Sequence, residues 1–287
     1  NGATNATLTI SSVSLADTGV YTVALINDVG GVTSAPAVLA IPSSMAVVPT
    51  APAGNAINVD APLALTFDRP GMVEKLFKGK ADVGNDHVIA PIYPYFDSSI
   101  PQRTQDIEKA KALLAEAGVT NLTAKLHLPD QQEIPDLGVL LQSEAAKAGI
   151  TLEIAKESLD TFYGAQWCPA EPKDPPCAGA AELGIVDYGH RATPDVYLNA
   201  ALSHKGVWNS SQYDNPAFDA AFKEFQGAVG VDAQKAACTK IETILNEDVP
   251  IGLPYFYNYL GGTSKEFTGT YSSALGQMFL SSTTKVG

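Results

Sequence analysis

The first forty residues alternate apolar and polar positions with a period of two. Residues 6–13 place Leu8 and Ile10 on one face, as in a β-strand with one buried side. The stretch 27–31, Asn-Asp-Val-Gly-Gly, is typical of a tight hairpin, and residues 32–41 form another strand-like run before Pro42. We therefore predict an all-β segment up to residue 41.

Beyond residue 68 the spacing changes to the three- and four-residue repeat of amphipathic helices. Asp68 is suited to cap a helix that has Pro70 in its first turn and ends at Gly79, and Asp106 is suited to cap another that ends before Gly118. Strands alternate with these helices, which predicts an α/β fold containing a right-handed β-α-β unit. The predicted elements are helices at 68–79, 106–117, 136–148, near 216–226 and near 232–246, and strands at 122–128, 150–154 and 183–187.

Residues 42–60 separate the two patterns and are rich in Pro, Ala, Ser and Gly, a composition typical of a linker. Residues 61–70 fit either the opening strand of a β-domain or the end of one helix followed by the helix at 68–79. The second interpretation fits better, since a strand does not continue through Pro70-Gly71. We predict separate domains at 1–41 and 61–287, joined near residue 65 by an assembly artefact or, alternatively, by a natural fusion.

The run Asp17-x-Gly19-x-Tyr21 carries a first family resemblance. It resembles the tyrosine-corner motif, so residues 1–41 are similar to strands E, F and G of a bacterial immunoglobulin-like domain. Val23 stands where many members have cysteine, and strands A to D have no counterpart here. The resemblance implies a partial all-β fragment whose inner face lacks its partner sheet.

A second resemblance rests on an ordered set of motifs. They are Asp68-Arg69, Val83-Gly84-Asn85-Asp86, the helix from Ala110 to Gly118, Ala148-Gly-Ile-Thr-Leu, Trp208-Asn209, Tyr213-Asp-Asn-Pro and Asp248-Val-Pro250. Each motif alone is common, but in this order residues 61–287 resemble the peptide, dipeptide and oligopeptide solute-binding proteins of ABC importers. The resemblance implies the C-terminal part of a two-lobe periplasmic binding protein, which closes on a small peptide or related solute and works with a membrane permease without performing chemistry.

The resemblance also implies a ligand site at residues 183–195. In dipeptide binders an aspartate at this place pairs with the amino group of the peptide, and Asp187 occupies roughly that position, although Ile185 replaces the usual tryptophan. The site lies at the carboxyl end of a predicted strand, where open α/β sheets bind ligands. The Asp187 carboxylate and the Arg191 guanidinium, with an aromatic ring between them in sequence, together suit a zwitterionic ligand. The alternative is a solvated loop with a local Asp187–Arg191 pair.

Aromatic residues complete the predicted contact set. Tyr188 directly follows Asp187, and His190 lies two residues further on, although His190 also fits an ordinary polar loop residue. Trp208, like Trp167, fits either a packing role or a ligand contact. The alternating tyrosines of the run 254–259, which include Tyr255 and Tyr257, place one face of a strand toward the cleft.

Charge and composition narrow the function further. The net charge of −13 and the pI near 4.6 argue against nucleic acid and anionic membranes as partners. The pattern contains no run of eighteen apolar residues and no signal peptide. Hydrolase and phosphate-loop motifs are absent from the sequence, and its four histidines lack metal-ligand spacing, so we predict neither an enzyme, a metal nor a cofactor.

The cysteines indicate the compartment. Cys168 and Cys177 flank a proline-rich loop of a length that a disulfide closes readily, although two unpaired thiols remain an alternative. A disulfide there implies an oxidising compartment, so we predict a periplasmic or extracellular protein. We predict that Cys238 is a small buried residue. The alternative function, supported only by the first forty residues, is a cell-surface immunoglobulin-like adhesion or interaction protein.

Overall fold

The computed structural model describes residues 61–171, 174–258, 264–272 and 278–286, together with the backbone of four short strands before residue 40. The chain divides into two compact units, Asn1–Val47 and Val48–Gly287.

The described backbone of the first unit forms two antiparallel strand pairs. Strand β1 (Gly19–Tyr21) pairs with β4 (Ala37–Leu39), and β2 (Ala24–Asn27) pairs with β3 (Gly30–Thr33). Because Asn27 lies opposite Gly30, two residues connect β2 and β3, so the predicted hairpin is confirmed. The strand predicted at 6–13 lies outside the described residues.

The second unit alternates helices and strands, as predicted. Its helices are α1 (Ala61–Ala64), α2 (Arg69–Phe77), α3 (Ile107–Glu116), α4 (Ile134–Ala146), α5 (Leu159–Thr161), α6 (Asp195–Tyr197), α7 (Pro216–Gly227) and α8 (Val231–Asp248). Single π-helical segments follow α5 at Phe162–Trp167 and α6 at Leu198–Leu202. Its strands are β5 (Ala81–Val83), β6 (Leu122–Pro129), β7 (Ile150–Glu157), β8 (Tyr255–Tyr257), β9 (Phe267–Thr268), β10 (Tyr271–Ser272), β11 (Met278–Phe279) and β12 (Thr284–Lys285).

The helix starts are set by side-chain caps. Asp68 accepts a hydrogen bond from the Gly71 N–H at 3.1 Å, and Asp106 accepts one from the Lys109 N–H at 2.9 Å. Each bond satisfies an N–H that the first helical turn leaves unpaired, which contributes about 1 kcal/mol. The helical interpretation of residues 68–79 is therefore confirmed, and residues 61–64 are helical rather than extended.

The predicted β-α-β unit is present as β6-α4-β7. The two strands are parallel from Leu122 opposite Ile150 to Pro129 opposite Glu157. Leucines of β6 and α4 are buried between the sheet and the helix, and each contributes about 2 kcal/mol through burial. Gly138 lets α4 approach closely, because a Cβ there would lie 2.4 Å from a methyl group of Leu128.

The strand predicted at 183–187 is wrong in extent, since it is reduced to one parallel bridge between His127 and Gly184. The His127 N–H donates to the Leu183 carbonyl, and the Ile185 N–H donates to the His127 carbonyl. The next donor along β6 would be Pro129, which has no N–H. The chain therefore leaves the sheet after Ile185.

A second apolar cluster surrounds α7 and α8. Phe218 and Phe222 of α7 pack with Ile241 and Leu245 of α8, and Cys238 is fully buried among them, as predicted.

A buried ion cluster joins the loop at 84–103 to α2 and to the residues before β8. Asp86 accepts hydrogen bonds at 2.7 Å from the guanidinium groups of Arg69 and Arg103, and at 3.0 Å from the Leu253 N–H. Arg69 and Asp86 are fully buried. The bond to Leu253 fixes the approach to β8, whose antiparallel pairing with β5 forms one wall of the site.

Candidate functional site

A cavity of about 560 Å³ is lined by members of both apolar clusters of the second unit. Its volume lies within the range typical of small-molecule sites. The walls come from the first turn of α4, the loop at 88–93, the segment at 185–190, the turn at 208–211 and the segment at 251–258.

One side of the cavity is acidic. Glu133 lies just before α4 and accepts a hydrogen bond from the Tyr255 hydroxyl at 2.9 Å, while Asp187 accepts one from the Tyr257 hydroxyl at 3.0 Å. Tyr255 and Tyr257 lie on the same face of β8, because side chains alternate along a strand. Asp82 of β5, which lies opposite Phe256 rather than opposite either tyrosine, also lines the cavity.

The tyrosine hydroxyls orient the two carboxylates by donating hydrogen bonds to them. Burial, followed by the nearby Glu133 carboxylate, raises the pKa of Tyr255 well above its ordinary value, so its hydroxyl stays protonated and donates. Among the lining residues that the structure describes, none is lysine or arginine. Carboxylates without a cationic partner in a partly enclosed cavity attract positively charged groups.

A second group of lining residues is aromatic. The ring centroids of Tyr188 and Trp208 are 6.0 Å apart, and those of Tyr188 and Tyr197 are also 6.0 Å apart. Tyr93 stacks on His190 with centroids 5.4 Å apart. These rings offer apolar surface for a side chain of a ligand.

Two tyrosine hydroxyls anchor the loop that follows Asp187. Tyr93 donates to the Arg191 carbonyl at 2.7 Å, and Tyr197 donates to the Gly189 carbonyl at 2.6 Å. The backbone that follows Asp187 is therefore held by two buried rings, which limits how far the Asp187 carboxylate moves.

Six of the seven predicted contact residues line the cavity: Asp187, Tyr188, His190, Trp208, Tyr255 and Tyr257. Arg191 does not, because its guanidinium donates to the carbonyls of Gly189 at 2.6 Å and His190 at 3.2 Å. The guanidinium thus turns back on its own loop. Burial, followed by the nearby Arg191 charge, lowers the pKa of His190, so its imidazole is neutral at pH 7. That these residues bind a ligand stays a prediction.

The sequence interpretation missed Glu133 and Asp82. Glu133 follows the carboxyl end of β6, and ligands of α/β proteins bind at such ends, so its position offered a signal. No signal in the sequence indicated Asp82, because this residue reaches the cavity through the pairing of β5 with β8, which is distant in the sequence.

A second, smaller cavity of about 260 Å³ adjoins the loop at 96–102. His87 lines it and is 1% exposed. Burial lowers the pKa of His87 to about 4, so the ring is neutral at pH 7. No group of three His, Cys, Asp or Glu side chains suited to a metal ion occurs among the described residues.

Cys168 and Cys177 form a disulfide, with their Cα atoms 4.2 Å apart. None of the helices that the structure describes is both long enough and apolar enough to cross a membrane.

Comparison with known proteins identifies the fold. Residues 45–170 match the family described as bacterial extracellular solute-binding proteins, family 5, middle. Heme-binding protein A of Haemophilus influenzae is 24% identical over 207 residues, which cover 67% of this chain and 35% of that protein.

Two solved structures extend the likeness. The oligopeptide-binding protein AppA from Bacillus subtilis, in complex with a nonapeptide, has a TM-score of 0.63 at 17% identity and covers 82% of this chain and 50% of its own. NikA from Staphylococcus aureus, in complex with Ni(L-His)2, has a TM-score of 0.61 at 22% identity, over 78% of this chain and 46% of its own.

The likeness shows part of the α/β fold of two-lobe periplasmic binding proteins, with mixed helices and strands, as predicted. The chain spans half or less of the length of each of these relatives. The family match begins at residue 45, inside the predicted linker at 42–60. The immunoglobulin-like resemblance of residues 1–41 and the junction near residue 65 stay predictions.

Proposed function

We propose that this chain contains the C-terminal part of the substrate-binding component of an ABC importer for peptides or similar small solutes. In this proposal the protein works in the periplasm or outside the cell, passes its solute to a membrane permease and performs no chemistry itself. The cavity between the two apolar clusters is its share of the ligand site.

The observation that carries the proposal is that carboxylates and aromatic rings line the same cavity. Glu133 and Asp187 each accept a hydrogen bond from a tyrosine hydroxyl, at 2.9 and 3.0 Å respectively. A peptide has a cationic amino end that suits the carboxylates, and its side chains are often apolar and suit the rings. Charge-assisted hydrogen bonds to the ammonium group would supply orientation, and burial of a side chain against the rings would supply affinity.

The family match and the bound molecules of the similar structures support a binding role. The AppA structure holds a nonapeptide and the NikA structure holds a nickel–histidine complex. These ligands differ in shape but share amino-acid building blocks. We therefore place peptides first among the solute classes.

Thermal unfolding in the presence of a pool of synthetic tripeptides tests the proposal. Ligand at about one hundred times its Kd stabilises the folded state by about 2.7 kcal/mol, so Tm should rise with peptide concentration. The same pool with acetylated amino ends should raise Tm much less, since acetylation removes the positive charge.

Variants assign the effect to the acidic side. Asp187→Asn and Glu133→Gln should each reduce the Tm increase, because they remove the charge and keep the size. Glu116→Gln, at an exposed position of α3, is the matched control and should leave the increase intact. No Tm change with any peptide, or equal changes with free and acetylated pools, would overturn the proposal.

A further inference from the structure

The disulfide-closed loop at 168–177 packs on the chain segment around Val207. The sulfur atoms of Cys168 and Cys177 lie 3.5 and 3.4 Å from the Val207 carbonyl oxygen. The Gln212 side chain donates to the Pro176 carbonyl at 2.9 Å, which adds a second contact between the loop and this segment. The disulfide therefore lies at the centre of the contact.

The same two segments carry an aromatic wall, which consists of Trp167, Tyr188 and Trp208. Trp167 directly precedes Cys168, and Trp208 directly follows Val207. The Trp167 ring centroid lies 6.4 Å from that of Trp208 and 6.1 Å from that of Tyr188. Tyr188 and Trp208 line the cavity, and Trp167 packs on both of them without lining it.

Trp167 is also restrained by Tyr163, whose ring packs edge-to-face on it with the centroids 5.6 Å apart. Trp167 ends the π-helical segment that begins at Phe162, a type of helix found mostly as single turns. The carbonyl of the preceding residue, Gln166, accepts a hydrogen bond from the Ala181 N–H at 2.8 Å, which holds the backbone on one side. On the other side the next residue is Cys168, which the disulfide ties to Cys177.

We propose that the disulfide loop at 168–177 is a positioning element of the ligand site, which holds the aromatic wall in place through Trp167. Opening the disulfide would free Trp167 and let Trp208 and Tyr188 shift from the cavity. This inference rests on the proposed function, since it assigns the wall to the binding of apolar side chains.

Intrinsic fluorescence reads the wall directly, because the chain has two tryptophans and both belong to it. Dithiothreitol reduces the disulfide: each cysteine sulfur gains a hydrogen, and the reagent becomes its cyclic disulfide. We expect a red shift of the tryptophan emission and roughly twofold stronger quenching by acrylamide, while the far-ultraviolet circular dichroism is unchanged. The fluorescence readout requires no ligand.

Affinity for two peptides gives the second readout. Reduction should weaken binding of Ala-Phe-Ala by about tenfold, which corresponds to about 1.4 kcal/mol and to the loss of one or two ring contacts. Binding of Ala-Ala-Ala should weaken by at most about twofold, because the methyl groups touch little ring surface. A general loss of stability would weaken both peptides equally.

Three variants complete the test. Replacing both Cys168 and Cys177 by serine should reproduce the effect of reduction, and Trp167→Leu should reproduce the affinity difference with the disulfide intact. Cys238→Ala, which removes the buried free cysteine, is the control and should leave the affinity ratio unchanged. If the double serine variant does not fold, the reduced chain and Trp167→Leu still decide.

Unchanged emission and quenching on reduction, or equal weakening of both peptides, would overturn the inference. If the oxidised chain binds neither peptide, the proposed function fails for these solutes, and the fluorescence still tests the positioning of the wall. The two failures are therefore distinguishable.

Discussion

Glu242 makes the stability of this protein depend on pH in a direction that a substitution can test. The side chain is fully buried on α8, and its two carboxylate oxygens lie 3.3 Å from the Asp97 N–H, which donates to them. Burial raises the pKa of Glu242 from 4.5 to about 8, and the nearby Asp97 carboxylate adds to the increase, although the Asp97 N–H opposes it.

The direction in which stability changes with pH follows from how many protons the folded and unfolded chains bind. Below pH 4.5 the carboxyl group is protonated in both the folded and the unfolded chain, so its contribution to stability is fully present. Between pH 4.5 and about 8 the unfolded chain loses this proton while the folded chain keeps it, so stability falls as pH rises. The increase of the pKa from 4.5 to about 8 corresponds to a loss of about 5 kcal/mol by pH 8, of which about 3 kcal/mol is lost by pH 7.

Glu242→Gln removes the titrating group and retains a hydrogen-bond acceptor of similar size. We expect the variant to match the natural chain at pH 4.5 and to exceed its free energy of unfolding by several kcal/mol at pH 8. Urea unfolding at five pH values between 4.5 and 9 measures this difference.

Glu247→Gln, at an exposed position of the same helix, is the matched control and should show no pH-dependent difference. A difference between Glu242→Gln and the natural chain that stays constant with pH would refute the reasoning. So would a variant that is less stable at pH 8.

Two further substitutions test buried groups of the second unit. Burial lowers the pKa of His87 from 6.5 to about 4, so the contribution of His87 to stability should be fully present above pH 6.5 and should fall by about 3 kcal/mol as the pH decreases to 4. His87→Phe should remove this loss of stability in acid, which urea unfolding measures. An unchanged dependence of stability on acid pH would contradict the assignment. Arg69→Met should lower the free energy of unfolding by about 3–5 kcal/mol, because it leaves the buried Asp86 with only one guanidinium partner. The control Lys111→Met breaks an exposed ion pair and should lower it by less than about 1 kcal/mol. Equal losses would show that burial does not set the cost.

Local features of the second unit could be predicted because their causes are local. Asp68 and Asp106 cap their helices through bonds to residues three positions away. The unit β6-α4-β7 follows from alternating periodicity over neighbouring segments. These interactions require no knowledge of distant parts of the chain.

The site was predictable only in part, because the cavity depends on long-range contacts. β5 pairs with β8, and Asp86 bonds the N–H of Leu253, across most of the second unit. Residue type suggested Asp187 and Tyr257, but no local pattern indicated that a tyrosine hydroxyl would orient the carboxylate. Arg191 illustrates the converse, since its charge suited a ligand while two carbonyls of its own loop bind the guanidinium.

Nuclear magnetic resonance of the two tryptophan indole N–H groups tests most directly whether the cavity binds a cationic peptide. Trp208 lines the cavity and Trp167 packs behind it, so the two signals separate direct contact from indirect effects. Titration with the free tripeptide pool should shift the Trp208 signal more than that of Trp167, and the acetylated pool should shift it little. An unmoved Trp208 signal, or equal shifts with both pools, would contradict the proposed binding of an ammonium group in this cavity.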